Sequence, residues 1–495
     1  MKNRAYKNPV FIVSAIVVSI LVILGAIFPV GFGAVAEKLY NFTSNSFGWF
    51  YLLAVFIFVI FLIGISISKY GKVRLGPVDS RPDYPFFTWI GMLFSAGFGV
   101  GLVFWGVAEP MSHYFITPFS DLKAQTEEAA RVAMGYAYFH WGISQWSVFG
   151  VVGLIMAFLQ FKKEKSALVS NSIKPIIGKN KAVSNTIDSL AVIATVMGIA
   201  TSLGLGILQM NGGLKSVFNI PNSVWVQLAI AVVMLITYLL SSSTGLNRGI
   251  KWLSNINLGL CLVLLAFVFF AGPTVFILNT LVLGIGDYLS HFIEYSLRLT
   301  PYEGGTWVRD WTIFYWAWVI AWSPFVGAFV ARVSRGRTIR EFIFGVLVVP
   351  PAIACLWIAA FGGTAIYSDL FKGTKIAEAV NSDVTVALFK LYETLPFSNV
   401  LSMLSILLVF TFLVTSADSA TYILGSMTSN GSLNPSLPIK IIWGVLMTAI
   451  AVVLLLAGGL DALQTASLIA ALPFTIILLL IVASFIKTIK TTNKN

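Results

Sequence analysis

Along the 495 positions, long apolar runs alternate with short polar and charged stretches, and the runs predict membrane-spanning helices. Twelve are read, over 9–34, 49–67, 88–108, 134–160, 185–209, 222–241, 251–276, 310–331, 341–366, 397–425, 436–457 and 463–486. Each is long enough to cross a hydrocarbon core about 30 Å thick. The first follows Lys2, Arg4 and Lys7 but is too long for a signal peptide, and further spans follow it. The fold class expected is an all-α polytopic membrane protein.

Two spans carry interruptions, the third at Gly97-Phe98-Gly99-Val100-Gly101 and the eighth at Ser323-Pro324. Helices broken inside the membrane build the sites of secondary transporters. Because five spans separate the two, they run in opposite directions, so spans three to seven and eight to twelve are expected to be inverted repeats. Ala200-Thr201-Ser202 in the fifth span matches Val414-Thr415-Ser416 in the tenth, the third helix of each half. The chain then divides into 1–87, with two peripheral spans, 88–283 as the first repeat, 284–309 as an outer linker, 310–486 as the second repeat, and a short basic tail, 487–495. Residues 284–302 set Tyr288, Leu289, Phe292, Ile293 and Leu297 between charges, as in an amphipathic surface helix.

Trp311, Tyr315, Trp318 and Trp322 fall at i, i+4, i+7 and i+11 and predict an aromatic stripe down one face of the eighth span. Ring faces attract a methylated ammonium ion without a buried carboxylate. The glycines of the third span also admit a plainer reading as close helix packing, which leaves the proline at the matching place in the other half unexplained.

A composition of 58% hydrophobic and 11% charged residues excludes an ordinary soluble globular protein. The net charge of +12 would suggest a nucleic-acid partner in a soluble chain; here most Lys and Arg fall in alternate loops, which places both termini in the cytoplasm and implies no nucleic acid. The basic runs Lys162 to Lys181 and Arg332 to Arg340 read as topology signals near anionic lipid. Cys261 and Cys355 read as packing residues. Glu109 and Asp418 are costly to bury and are candidates for either function or structure. His140 reads as a packing residue, with a proton relay as the alternative, and His113 and His291 are expected in loops. Three scattered histidines make no metal or catalytic cluster, so the chain is not expected to be an enzyme. A channel would need a ring of charges that is not present in the sequence.

Several stretches together resemble the betaine/choline/carnitine transporter family. They are the glycine run with Trp105-Gly106-Val107-Ala108-Glu109-Pro110, Phe139-His140-Trp141 with Trp146, Trp311 to Gly327, Ala331-Arg332-Val333-Ser334-Arg335-Gly336-Arg337, and Thr415-Ser416-Ala417-Asp418-Ser419. The resemblance implies a LeuT-like fold of inverted five-helix repeats preceded by two extra helices. It also implies a bacterial plasma-membrane location, quaternary ammonium or related compatible solutes as substrates, sodium as coupling ion with no other cofactor, and a homotrimer. The family's aromatic box maps onto Trp141, Trp146 and Phe149, the last usually tyrosine. Trp318 and Trp322 map onto the inner half of the path. Where members carry Trp-Ala-Trp-Trp, this chain has Trp316-Ala317-Trp318-Val319, so one wall is missing.

Unwound backbone at Gly97, Gly99 and Gly101 would offer amides and a positive helix end to a carboxylate. The family has glycine at the last position in betaine carriers and aspartate in choline carriers, so Gly101 implies a zwitterion, glycine betaine first, with choline, carnitine, ectoine and proline as alternatives. One sodium site maps onto the Ser95, Phe98 and Leu413 carbonyls with Thr415 and Ser416. A second maps onto Thr195 and Phe325, with Ile199 where members carry threonine. No Lys or Arg stands inside the fifth or tenth span, which argues against sodium-independent exchange. The tail, with Lys487, Lys490 and Lys494, is short for a charged osmosensing extension.

Overall fold

The computed structural model describes residues 5–97, 99–166, 168–244 and 249–492, and its regular structure is helical. Phe98, one of the expected sodium ligands, lies outside the described residues. Prolines start the first two helices, α1 (Pro9–Ile27) and α2 (Pro29–Ile67), and Asn8 caps α1 through its side chain. The break between them falls at Phe28 instead of within 35–48 as expected. Pro29 has no N–H to continue α1, and no helix breaker follows that would end α2 early.

The third span is divided into α3 (Phe86–Gly97) and α4 (Val100–Phe115), with Gly99 extended at φ −135°. The fourth is also divided, where the sequence predicts no break: α5 (Glu127–Trp141) and α6 (Ile143–Ala157) meet at Gly142. There the Tyr288 hydroxyl accepts from the Ile143 amide at 2.9 Å and satisfies one of the donors the break releases. The short α7 (Val169–Ile177) leads to the fifth span, α8 (Lys181–Phe218). The sixth and seventh are α9 (Val224–Thr244) and α10 (Gly249–Ala271). The expected outer amphipathic helix is two pieces, α11 (Thr274–Ser290) and α12 (Phe292–Leu297), with Leu289 and Ile293 outward and Tyr288 and Tyr295 buried.

The eighth span opens with a π turn, Arg309–Ile313, and continues as α13 (Phe314–Val333). Here an expectation fails, since α13 runs through Ser323-Pro324 unbroken. Proline removes the N–H that would bond the Ile320 carbonyl, and the Ser323 hydroxyl donates to that same oxygen at 2.8 Å. The ninth span is α14 (Ile339–Lys372), followed by two short helices, α15 (Ile376–Ser382) and α16 (Ala387–Tyr392), and the tenth span, α17 (Ser398–Met427). One long helix, α18 (Leu437–Thr492), holds the last two spans and is broken at Gly458 and Gly459.

Burial locates the centre of the molecule. The most apolar window of the fourth span is 94% buried and that of α8 83%, against 17% in α9 and 22% in the seventh span. The former line the interior and the latter face lipid, as hydrophobic helices in a bilayer must wherever protein does not cover them. At one end of the bundle, Leu75 and Ile339 pair their backbones with the opposite loop, and Arg337 packs at 4.7 Å over the Trp89 ring while donating to the Tyr84 carbonyl. Arg337 is therefore buried, not a lipid-facing topology charge.

Candidate functional site

A cavity opens at the break in the third span. Its wall is formed by Gly99 and Gly101, Ile199 and Ser202 of α8, Trp322 and Phe325 of α13, and Leu413 and Ser416 of α17. Three spans far apart in sequence thus converge on the residues that break the third. Two other glycines allow the approach. A Cβ on Gly198 would lie 2.8 Å from the Trp322 backbone nitrogen, and one on Gly206 would meet Leu413 at 2.3 Å. Neither glycine is distinctive in sequence, because close packing of this kind depends on the partner helix.

The expected aromatic residues are brought together as one chain of rings. Trp141 meets Trp318 edge-on at 6.3 Å, Trp318 stacks on Trp322 at 6.3 Å, Trp322 meets Phe149 at 5.8 Å, and Phe149 meets Trp146 at 5.5 Å. Only Trp322 of these reaches the cavity wall. Trp141, Trp146, Phe149 and Trp318 pack ring to ring beyond it, and Val319 is buried beside them in sequence. Gly101 touches both groups: a Cβ there would lie 2.5 Å from Trp318 and 3.1 Å from Trp141. The backbone of α4 can lie against those indoles only without a side chain.

The hydroxyl pairs divide in the same way in both halves. Ser202 and Ser416 line the cavity, whereas the neighbouring threonines turn away. Thr201 bonds Ser467 at 2.8 Å and the Leu463 carbonyl at 2.9 Å, both on α18. Thr415 donates back to the Thr411 carbonyl at 3.0 Å and accepts from Asn257 of α10 at 3.2 Å. Thr195 is also bonded back, to the Ala191 carbonyl at 2.7 Å, while Phe325 and Ile199 of the second expected sodium site face the cavity. Gly97 ends α3, and the backbone of Ser95 lies within that helix.

Away from the cavity stands a polar cluster not expected from the sequence. His113 is not in a loop but buried within α4, and with His140 it closes on Glu109. Glu109 Oε1 lies 2.6 Å from His140 Nδ1 and 3.2 Å from His113 Nε2. Glu109 Oε2 accepts from the Trp141 indole at 2.8 Å and from the Tyr315 hydroxyl at 2.5 Å. His140 Nε2 reaches the Thr312 hydroxyl at 2.9 Å. The three titratable groups could together offer a metal ion one atom each, but the distances are those of hydrogen bonds and both carboxylate oxygens are already engaged. Two of the three histidines are thus clustered, contrary to expectation, with α4 and α5 each supplying one, while His291 lies between α11 and α12. The outer half of the aromatic stripe, Trp311 and Tyr315, belongs to this cluster, since Tyr315 stacks on His140 at 4.8 Å and Trp311 meets His113 at 4.4 Å. Asp418 has a partner as well, the Ser241 hydroxyl at 2.6 Å.

Comparison with known proteins gives a consistent result. The model of the BCCT family, the betaine/carnitine/choline family transporters, matches residues 9–494. An ectoine/hydroxyectoine transporter of Virgibacillus pantothenticus is 73% identical over 98% of the chain and 97% of its own length. The glycine betaine transporter OpuD of Bacillus subtilis is 45% identical over 97% of the chain and 94% of its own. An osmo-dependent choline transporter of Acinetobacter baylyi, BetT2, is 36% identical over 97% of the chain and 71% of its own.

Proposed function

Because the chain belongs to the betaine/carnitine/choline family of transporters, we propose that it imports a zwitterionic compatible solute by sodium symport, ectoine first and glycine betaine second. The observation that carries this reading is the cavity itself. Its wall brings together the backbone of Gly99 and Gly101, the rings of Trp322 and Phe325, and Ser202 and Ser416. A solute with a carboxylate at one end and a delocalised or methylated cation at the other matches that set of groups. The hard oxygens suit sodium. Ectoine is placed ahead of betaine because the relative named for it shares 73% of the sequence.

The cross-bonding of Thr201 to the last span and of Thr415 to the seventh supports the inverted-repeat reading, with each half's third helix held by the other half's fifth. Sodium at Ser416 with the Leu413 carbonyl, a trimer seated on the outer helices, and cytoplasmic termini complete the proposal.

Uptake of labelled ectoine and glycine betaine into proteoliposomes, with and without an inward sodium gradient, tests it. Accumulation of either solute only under the gradient is expected. Accumulation indifferent to sodium would remove the coupling, and no uptake of either zwitterion would remove the substrate class.

A further inference from the structure

The second helix, α2, stands outside the two repeats read from the sequence, yet it is pinned to both ends of the eighth span. Where that span begins, the Tyr40 hydroxyl donates to Asp310 Oδ1 at 3.1 Å and Arg309 donates to Asn45 Oδ1 at 3.1 Å. Where it ends, Arg340 donates to the Ser66 carbonyl at 2.9 Å. The chain leaving α2 then pairs with the loop after α13: Leu75 donates to the Arg337 carbonyl and accepts from the Gly336 amide, each at 2.8 Å, and Arg74 donates to the Gly336 carbonyl at 3.0 Å. The two rods match in length. At 1.5 Å per residue, α2 rises about 39 Å from Tyr40 to Ser66, and the eighth span about 36 Å from Arg309 to Val333.

Between these pins, α6 packs on both rods. A Cβ on Gly150 would come within 2.9 Å of Leu62 of α2, and one on Gly153 within 3.2 Å of Val330 of α13. The middle of the eighth span is the part that needs support. Pro324 leaves the Ile320 carbonyl without its usual amide, and the Ser323 hydroxyl fills the gap. A helix lacking an amide bond bends more readily at that point than elsewhere. Trp322 and Phe325 stand on the two sides of it, and both line the cavity.

We infer that α2 is a splint for the eighth span: by holding both ends at a fixed separation it keeps α13 from flexing at Pro324, and so sets Trp322 against Phe325 in the cavity wall. Tyr40, Asn45 and Gly336 are then positioning residues, remote from solute. A rod of fixed length restrains a flexible one only while both ends are attached. Freeing either end releases the bend, and freeing the second adds nothing. Independent contacts behave otherwise, because changes at distant sites add in free energy and so multiply in their effect on an equilibrium. The claim on the cavity wall rests on the function proposed above, whereas the mechanical claim stands apart from it.

Hydrogen exchange of the amides from Phe325 to Ala328 in purified protein tests the splint without solute. Tyr40→Phe with Asn45→Ala frees the first end. Gly336→Ala frees the second, since Gly336 holds φ +79° and a Cβ would meet the Arg81 carbonyl at 2.2 Å. Where that variant does not fold, Arg74→Met with Arg340→Met loosens the same end. Freeing either end is expected to speed exchange about fivefold, the scale of one hydrogen bond, and freeing both also about fivefold. A product of about 25-fold with both ends freed would overturn the inference, as would an unchanged rate with either end freed. An equal rise in α9, which α2 does not hold, would mean general loosening and overturn it as well. Binding of labelled zwitterion should weaken in the same pattern. Exchange that follows the pattern with binding unchanged would overturn the claim on the cavity wall, whereas no binding by the wild type would overturn the proposed function and leave the exchange rates to decide the splint.

Discussion

At adjacent positions of one helix, Thr415 and Ser416 face directions about 100° apart, and this rotation separates two roles that the sequence presents as one pair. Thr415 is fully bonded within the protein, between the Thr411 carbonyl and Asn257, while Ser416 opens on the cavity. Ser416→Ala is therefore expected to raise the sodium concentration for half-maximal uptake several-fold with thermal stability unchanged. Thr415→Ala should leave the sodium dependence near wild type and lower stability by about 1 kcal/mol, the worth of a lost buried hydrogen bond. Uptake titrated with sodium and a melting curve on the same preparations check both, and a sodium shift confined to Thr415→Ala would reverse the assignment. The repeated Thr-Ser was legible in the sequence; which hydroxyl reaches the cavity was not, because that depends on where the helix sits among its neighbours. The Glu109 cluster was illegible for a related reason. His113 and His140 belong to different helices, and the loop between them gives no sign that they converge.

Among the elements, the breaks illustrate how far local signals go. Three closely spaced glycines announced the division of the third span, and Gly99 is its extended joint. Ser323-Pro324 carried an equally strong signal and did not break α13, since one hydroxyl made good the one carbonyl that proline left unpaired. At Gly142 a lone glycine did divide the fourth span, for a reason that lies outside it. A Cβ there would stand 2.5 Å from the Tyr138 carbonyl and 2.6 Å from the Tyr288 hydroxyl, whose helix follows nearly 150 residues later. Gly142→Ala should displace Tyr288 from the Ile143 amide, lower stability by roughly 2 kcal/mol, and weaken solute binding because Trp141 is the next residue. Thermal unfolding and solute binding by the purified variant provide the measurement. Unchanged values of both would mean that the joint tolerates a side chain. The apolar runs themselves were read well, because length and hydropathy suffice in a bilayer. Their ends were read less well: α2 begins some twenty residues before the span predicted within it.

For the whole molecule, the buried carboxylate of Glu109 has a consequence that is electrical. A fixed charge inside a bilayer feels the transmembrane voltage, at about 2.3 kcal/mol per elementary charge for a full crossing at 100 mV. Glu109 rides on α4, the half of the third span beyond the break at Gly99, so any tilt of α4 that exposes the cavity alternately to the two sides carries this charge through part of that voltage drop. The carrier without solute or sodium should then respond to a voltage step with a brief displacement current, saturating in both directions and diminished in Glu109→Gln. Recordings from protein on a solid-supported or planar membrane would register it, and an identical transient in the variant would show that the charge stays still. On this account the resting membrane potential biases which face the empty carrier presents, before any solute arrives.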